Sequence, residues 1–413
     1  MEAPKPHVKP ARRLRSVGAV GQVMRSYYES FLDRDGPIAW CSSMGPVELL
    51  YSLGYKIFFP ENHAAVIAAK RLSNAVVNHA HALGFSRDTC GYLNADIGAC
   101  LAGRSPLSDI DDRLSVPPRP DILVYSTNQC RDIKEWFLFH ADRFGVPCVG
   151  IESPTNIGEV SASISNGIAG QIQDIVPMLS RIAKQKPDID ALEETVGLSK
   201  RCSDLWRKIL ETGRARPAPL LFDTALTLMG PAVVLRGTTT AITIYEQVLD
   251  ELLARQRENV GAQKNETYRI YYDGMPIWGR LREIDRLQKS LGIATVASTY
   301  CNSWVFDALD PTHPVDSMIK SYLDLFVVRS ETIKLEYLKQ MAGRFRIDGF
   351  VFHEAKTCLS NSNSRYGLTK RLQQDLGIPV TTIYGDHMDP TLFDSERFTV
   401  QLEAFAEQLE NRR

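Results

Sequence analysis

The sequence predicts an α/β protein built on two largely parallel sheets, and three observations carry that prediction. Short apolar runs bounded by glycine, proline or acidic residues recur along both ends of the chain. Helical stretches separate them, which is the alternation of βαβ units. Between about residues 158 and 265 the strand signals stop and helical periodicity continues alone.

In chain order, residues 1–35 read as an N-terminal helical arm, with SVGAVGQVMRSYYESFLDR ending at Asp35-Gly36. Residues 36–157 read as the first α/β domain. Its strands are PIAWCSS (37–43), YKIFFP (55–60), PDILVYSTNQC (120–130) and VPCVGIES (146–153). The stretch ENHAAVIAAKRLSNAVVNHAHALGF reads as mostly helical, and a helix around IKEWFLFHADRFG is closed by Gly145. Residues 158–265 form a helical connector with one proline-rich break, GRARPAPLL. Residues 266–413 form the second α/β domain, with strands at TYRIYYDG (267–274), IATVASTYC (293–301), DGFVFHEAKTC (348–358) and IPVTTIYGDHMDP (378–390). Both sheet domains are expected to be open and of flavodoxin or Rossmann type.

Composition narrows the classes of function. The chain has 413 residues, 44% of them hydrophobic and 23% charged, with a formal net charge of −1. That is the profile of a soluble globular protein with ample core. Without a basic stripe there is no electrostatic footprint for nucleic acid. The basic, proline-containing N-terminus lacks the apolar region of a secretory signal. No apolar run approaches bilayer length, so no membrane partner is expected and the expected location is cytoplasmic. Neither a Walker A motif nor G-x-G-x-x-G occurs, which argues against ATP hydrolysis and ordinary dinucleotide binding.

The cysteines carry the first chemical signal. There are eight, with no C-x-x-C pair, and in this compartment they do not make a disulfide framework. In open parallel sheets, ligands bind beyond the carboxyl ends of the strands. Cys41, Cys130, Cys301 and Cys358 all sit at or just past such ends, and PDILVYSTNQC and DGFVFHEAKTC are close analogues, one in each domain. Cys90, in the loop SRDTCGYL, can join them without helical constraint. Three thiolates converging from loops suit a soft-metal site, either zinc or an iron–sulfur cluster. Unrelated buried cysteines are the simpler account on spacing alone. On the same edge lie Ser42, Ser43, Glu61, Asn62 and His63. Glu61 fits a general base or a substrate hook, and equally a first-turn helix carboxylate. His353, Asp386 and His387 read as loop polars, and the i, i+2 pair His79 and His81 cannot share a helix face.

The segments IAWCSSMGPVELLYSLGYKIFFPENHAA, GFSRDTCGYL, DILVYSTNQC, RPAPLLFDTALTLMGPAVVLRGT and FHEAKTCLSNS…GIPVTTIYGDHMDP resemble the 2-hydroxyacyl-CoA dehydratase family. That family also contains catalytic subunits of ATP-dependent benzoyl-CoA reductase, and the likeness is strongest to the alpha subunits of (R)-2-hydroxyacyl-CoA dehydratases. It runs from about residue 36 to the C-terminus. The resemblance implies a heterodimer with a homologous second (beta) subunit, each subunit holding a [4Fe–4S] cluster by three cysteines. In this chain the matching ligands are Cys90, Cys130 and Cys358. Cys41 and Cys301 do not match ligand positions.

The resemblance further implies an oxygen-sensitive hydro-lyase acting on an acyl-CoA substrate. A separate activator ATPase, with its own iron–sulfur cluster, injects one electron. The thioester then becomes a ketyl radical anion that expels the 2-hydroxyl and leaves the 2-enoyl-CoA. By the same likeness Ser43 hydrogen-bonds the thioester carbonyl, and Glu61 handles the hydroxyl or the proton. The alternatives are a subunit of ATP-dependent benzoyl-CoA reductase, a double-cubane cluster reductase, and a zinc-binding or non-catalytic α/β protein. If Cys358 is a cluster ligand, Cys358→Ala should lose protein-bound iron and acid-labile sulfide, while Cys148→Ala and Cys202→Ala keep both. Equal retention in all three variants would remove Cys358 from the ligand set.

Overall fold

The computed structural model describes residues 13–412. The part of the expected N-terminal arm before residue 13 lies outside the described residues. The rest of the arm is helix α1 (Arg15–Glu29), extended by a single 3-10 turn. Its apolar side, including Val17, Val20, Tyr27 and Tyr28, is buried in the main core.

The first sheet comprises β1 (Ile38–Cys41), β2 (Lys56–Phe58), β3 (Ile122–Ser126) and β4 (Cys148–Ile151), all parallel and in the order β2-β1-β3-β4. β1 and β3 are buried along their whole length, as unbroken apolar runs in a parallel sheet must be. The connections are helical: α2 (Val47–Ser52), α3 (Pro60–Ala69), α4 (Ser73–Ala82), α5 (Gly91–Ala102) and α6 (Asp132–Phe144). Pro60 opens α3 at a position where its missing N–H costs nothing. The long helical stretch expected over residues 61–85 is broken into α3 and α4 at Arg71, whose φ is 60°. The break turns α4 back onto α5. Gly145, with φ of 63°, closes α6 as its sequence predicts.

The helical segment follows as α7 (Ala162–Ala183), α8 (Ile189–Glu211), α9 (Phe222–Leu228), α10 (Gly230–Val234) and α11 (Thr239–Arg257). These helices share one apolar core with the first sheet and α1, Trp206 and Tyr245 stacking at 5.3 Å between ring centres.

The second sheet comprises β5 (Tyr268–Asp273), β6 (Ile293–Ser298), β7 (Gly349–Ala355) and β8 (Val380–Gly385), parallel and in the order β6-β5-β7-β8. Around it lie α12 (Leu281–Ser290), α13 (Thr299–Asn302), α15 (Glu331–Phe345), α16 (Leu368–Leu376) and α17 (Ser395–Asn411), whereas α14 (Pro314–Leu323) packs on α7 and α8. The period of two sorts its faces. Tyr271, Phe350 and Phe352 pack with α15 and α16, whereas Ile270, Tyr272 and Val351 pack with α12 and α17.

The two sheets therefore have the same strand order, 2-1-3-4 counted within each. The chain reverses direction across the sheet between β1 and β3, and again between β5 and β7. Those are the points where open parallel sheets leave a crevice for ligands. Among the described residues no helix is long and apolar enough to cross a membrane.

Where α5 crosses α4, Gly98 has no room for a side chain: a Cβ there would fall 2.1 Å from the Val76 carbonyl oxygen. Gly98→Ala should therefore force the two helices apart and lower unfolding free energy by roughly 2–3 kcal/mol, measurable as a denaturant midpoint shift. An unchanged midpoint would show that the crossing can open without cost.

Candidate functional site

Five segments converge on one cavity of about 580 Å3. Each leaves the end of a strand or enters the start of a helix. The turn after β1 brings Ser43, and the first turn of α3 brings Glu61 and Asn62. Cys90 is the residue before α5, and Gln129 and Cys130 lie between β3 and α6. Cys358 follows β7. All of these line the cavity, together with Tyr92, Tyr300, Asn361 and His387. The structure thus brings together every residue singled out by the sequence as ligand or catalyst.

Three buried hydrogen-bonded arrangements hold these loops. The first is the Asp96 carboxylate in α5. His63 Nδ1 donates to its Oδ1 at 2.5 Å, and His140 Nε2 and Trp136 Nε1 donate to its Oδ2, each at 2.9 Å. With both imidazoles donating to the carboxylate, His63 Nε2 is left to accept from the Ser105 hydroxyl at 2.8 Å. The bonds from the two histidines outweigh burial and hold the Asp96 carboxyl down at about 2. His63 is in α3, and Trp136 and His140 are in α6. The network therefore pins together the three helices whose N-terminal ends carry Glu61, Cys90 and Cys130. Asp96, Cys100 and His140 have ligand atoms within 4.8 Å of one another, a geometry that would also admit an ion. The carboxylate oxygens are already taken by three N–H donors, and the group acts as a structural lock.

The second arrangement joins the two sheet domains. Gly91 N–H donates to Thr357 Oγ1 at 3.1 Å, and both the N–H and the hydroxyl of Thr357 donate to Asp386 Oδ2 at 2.8 and 2.7 Å. A Cβ on Gly91 would lie 2.8 Å from Met388 and 2.9 Å from the Thr357 hydroxyl, so glycine is what lets the loops touch. Cys90 and Cys358, one residue away on either side, are brought to the same cavity by this contact. Cys90 N–H also donates to Asp132 Oδ2, beside Cys130, at 3.2 Å.

The third arrangement holds Ser43. Arg236, just after α10, is 2% exposed. Its Nη1 donates to the Ser43 carbonyl at 2.8 Å and its Nη2 to the Gly45 carbonyl at 3.3 Å. Glu48 lies 3.4 Å from its Nε, and the Phe306 ring centre lies 5.0 Å from its guanidinium carbon. Glu48 in turn accepts from Ser199 Oγ at 2.8 Å and from the Tyr322 hydroxyl. A buried guanidinium with a carboxylate, carbonyls and a ring face around it is well compensated.

The thiols have a common setting. Burial raises all three, Cys130 to about 12 and Cys358 to about 11, and the neighbouring sulfurs add to the shift of Cys90 and Cys130. The amide of the residue three positions on opposes this in each case: Leu93 for Cys90, Ile133 for Cys130, Asn361 for Cys358. Each sulfur therefore sits over a helix-start or turn amide that favours a thiolate. Asn361 Nδ2 also donates to Cys358 Sγ at 3.8 Å. Soft donors without disulfide partners, each with an N–H directed at it, fit an iron–sulfur cluster.

Glu61 does not cap its helix. Its Oε1 accepts from Ser43 N–H at 2.9 Å and from Gln129 Nε2 at 3.2 Å, while Oε2 is buried without a partner. Desolvation outweighs these bonds and lifts its carboxyl to about 7. Ser43 Oγ is likewise buried and makes no hydrogen bond of good geometry, although its hydroxyl lies close enough to the Glu61 carboxyl to lower it somewhat. Ser42 instead accepts from Ser126 N–H, tying β1 to β3. Cys41 and Cys301 are buried in the apolar core.

The expectation that His353, Asp386 and His387 are solvated or hydrogen-bonded loop polars holds for Asp386, which accepts four hydrogen bonds. None of the three is solvated: all are about 1% exposed, and His353 lies within β7. His387 has neither ring nitrogen hydrogen-bonded and packs edge-on against Tyr92 at 4.6 Å between ring centres. Arg236, Asp96 and Thr357 carry the geometry without any local signature in the sequence. The only local hint was His63, within PENHAA.

An open α/β scaffold that gathers three thiols and a carboxyl raised to about 7 in one cavity is the framework of an enzyme. The family model for 2-hydroxyglutaryl-CoA dehydratase, D-component, matches residues 42–409, and the chain belongs to that family. Among curated relatives, the chain is 26% identical over 383 residues to the (R)-phenyllactyl-CoA dehydratase alpha subunit of Clostridium sporogenes, covering 91% of this chain and 90% of that one. It is 24% identical to the alpha subunit of lactoyl-CoA dehydratase from Anaerotignum propionicum, with 95% and 97% covered. It is 26% identical to one of the subunits of benzoyl-CoA reductase from Thauera aromatica, with 86% and 84% covered.

Replacing Asp96 by Ala would leave two imidazoles and an indole N–H buried without partners. Unfolding free energy should fall by about 3–5 kcal/mol. Because the folded carboxyl is depressed from 3.8 to about 2, its contribution is fully present above pH ~4 and is lost as pH falls toward 2. Acid titration of the folded apoprotein should show that loss, and Asp96→Asn should abolish it; an identical acid transition in the variant would rule out the lock.

Proposed function

We propose that this chain is the iron–sulfur, alpha-type subunit of an (R)-2-hydroxyacyl-CoA dehydratase, eliminating water to a 2-enoyl-CoA through a ketyl radical anion. In this reading it works with a homologous second subunit and with a separate activating ATPase that delivers one electron. The observation that carries the reading is the convergence of Cys90, Cys130 and Cys358 with Ser43 and Glu61 on one cavity. Membership of the dehydratase family and relatives named as dehydratase alpha subunits support it.

The donor set also supports a cluster: three thiols from three segments, each with an amide that favours its thiolate, suit iron–sulfur ligation. Bound by three cysteines, a [4Fe–4S] cluster supplies one-electron chemistry and an iron with a position open to an oxygen ligand.

The chain's own residues supply the rest. Ser43 Oγ, buried beside the Glu61 carboxyl and without a hydrogen bond of good geometry, donates to the thioester carbonyl oxygen. Arg236 fixes the turn that presents it. Glu61 Oε2, unpartnered and close to neutral titration, takes or returns the proton beside the reacting carbons. Gln129 and the Ser43 amide hold Oε1 so that Oε2 faces the cavity. The apolar walls keep water from a reactive intermediate.

Anaerobically purified protein should contain about four iron and four acid-labile sulfide per chain and, with partner, activator, ATP and reductant, convert a 2-hydroxyacyl-CoA to its enoyl product. Zinc alone would overturn the cluster, about eight iron would favour a double cubane, and ring reduction of an aryl-CoA would favour the reductase. Glu61→Gln should reduce turnover at least 100-fold with iron content unchanged; wild-type turnover in that variant would take Glu61 out of the mechanism.

A further inference from the structure

The same cavity extends well beyond the thiols and the Ser43–Glu61 pair. Its walls there are apolar and come from three directions. α3 supplies Val66, the α9–α10 region supplies Leu226, Met229 and Val233, and α1 supplies Met24 and Tyr28. We propose that the acyl group held by this site is a bulky apolar chain, branched-aliphatic or aromatic and without a terminal charge, and that α1 is the wall that selects it. The inference rests on the dehydratase reading and names the substrate class within it.

α1 is held at a definite distance from the chemistry. The Tyr28 hydroxyl donates to Asn62 Oδ1, next to Glu61. Met24 lies against Gly230 at the start of α10, where a Cβ would come within 2.7 Å of its sulfur. The Met24–Gly230 contact therefore sets how deep the apolar end is, and any side chain at 230 would invade it. Methionine is also a flexible filler suited to an irregular apolar ligand.

Charge excludes the main competitor, an acyl chain ending in a second carboxylate. The cations on the lining are Arg25 and Lys70. Both are about half exposed at the rim, and each is already paired, Arg25 with Glu29 at 2.8 Å and Lys70 with Asp109 at 2.8 Å. Arg236, the buried guanidinium behind Ser43, is not on the lining, and its charge is neutralised by Glu48 while two backbone carbonyls accept from its Nη atoms. A terminal carboxylate among Val66, Leu226, Met229 and Val233 would be buried without a counter-ion.

The test uses saturated acyl-CoA esters, which bind without turning over, titrated by calorimetry into the purified subunit complex. The probes are 4-methylpentanoyl-, 3-phenylpropanoyl-, propanoyl- and glutaryl-CoA. Each further buried methylene should tighten binding about 4-fold, so the first two should bind at least tenfold more tightly than propanoyl- or glutaryl-CoA. Gly230→Val should lower the 4-methylpentanoyl-to-propanoyl affinity ratio at least fivefold. Met24→Ala, at a half-buried position that leaves the core intact, should lower it in the same direction. Tightest binding of glutaryl-CoA, a flat profile across the panel, or an unmoved ratio in both variants would overturn the inference and leave the dehydratase reading standing. Failure of every ester to bind would instead defeat that reading, and this inference with it.

Discussion

A single buried carboxylate organises half of the site. Asp96 is fully enclosed, and a charge there is tolerable because three N–H groups point at it. Those donors come from the helices that carry Glu61 and follow Cys130, while Asp96 itself sits in the helix that follows Cys90. One charge thus sets the relative positions of three helix starts. Helix starts are also where exposed amides favour anionic donors, which is what thiolate ligands require.

The other half depends on contact between the sheets. Both have strand order 2-1-3-4, so each offers a crevice at the same place. Thr357, held by Asp386 and receiving Gly91 N–H, closes the two crevices onto one another. The helical segment supplies the third constraint through Arg236, which spans from α10 to the Ser43 turn. No one domain contains the constellation.

The cavity is poised toward neutral groups: thiols raised by burial, a carboxyl lifted to about 7, and a histidine at 387 whose burial disfavours the charged form. Taking up a metal on those thiols would release protons, coupling ligand assembly to pH. The same desolvation leaves the Ser43 hydroxyl, Glu61 Oε2 and the His387 ring nitrogens as cavity atoms that gain from a ligand able to hydrogen-bond them.

Much of the fold is legible in the sequence. All eight strands fall where short apolar or β-branched runs meet turn residues; β1 and β3 are continuously apolar because both faces are buried, whereas the edge strands β4 and β8 are only partly buried. The cysteines following β3 and β7 are visible as strand-end thiols for the same local reason, Cys90 is a third candidate from its loop, and the resemblance picks the same three. The break at Arg71 is hidden, since alanine-rich sequence on both sides favours helix and tertiary contact with α5 decides the turn. Arg236 with Ser43, Gly91 with Thr357, and Asp96 with His63 and His140 are partners 33 to 266 residues apart. Local pattern carries no information about which distant donor meets which acceptor. The sequence by itself determined the strands, the ligand edge and the candidate residues, since these follow from periodicity and side-chain chemistry. Only the tertiary structure decided that the two edges face each other, that His387 is buried, and that α1 walls the cavity, because burial and long-range hydrogen bonding exist only once the chain has closed.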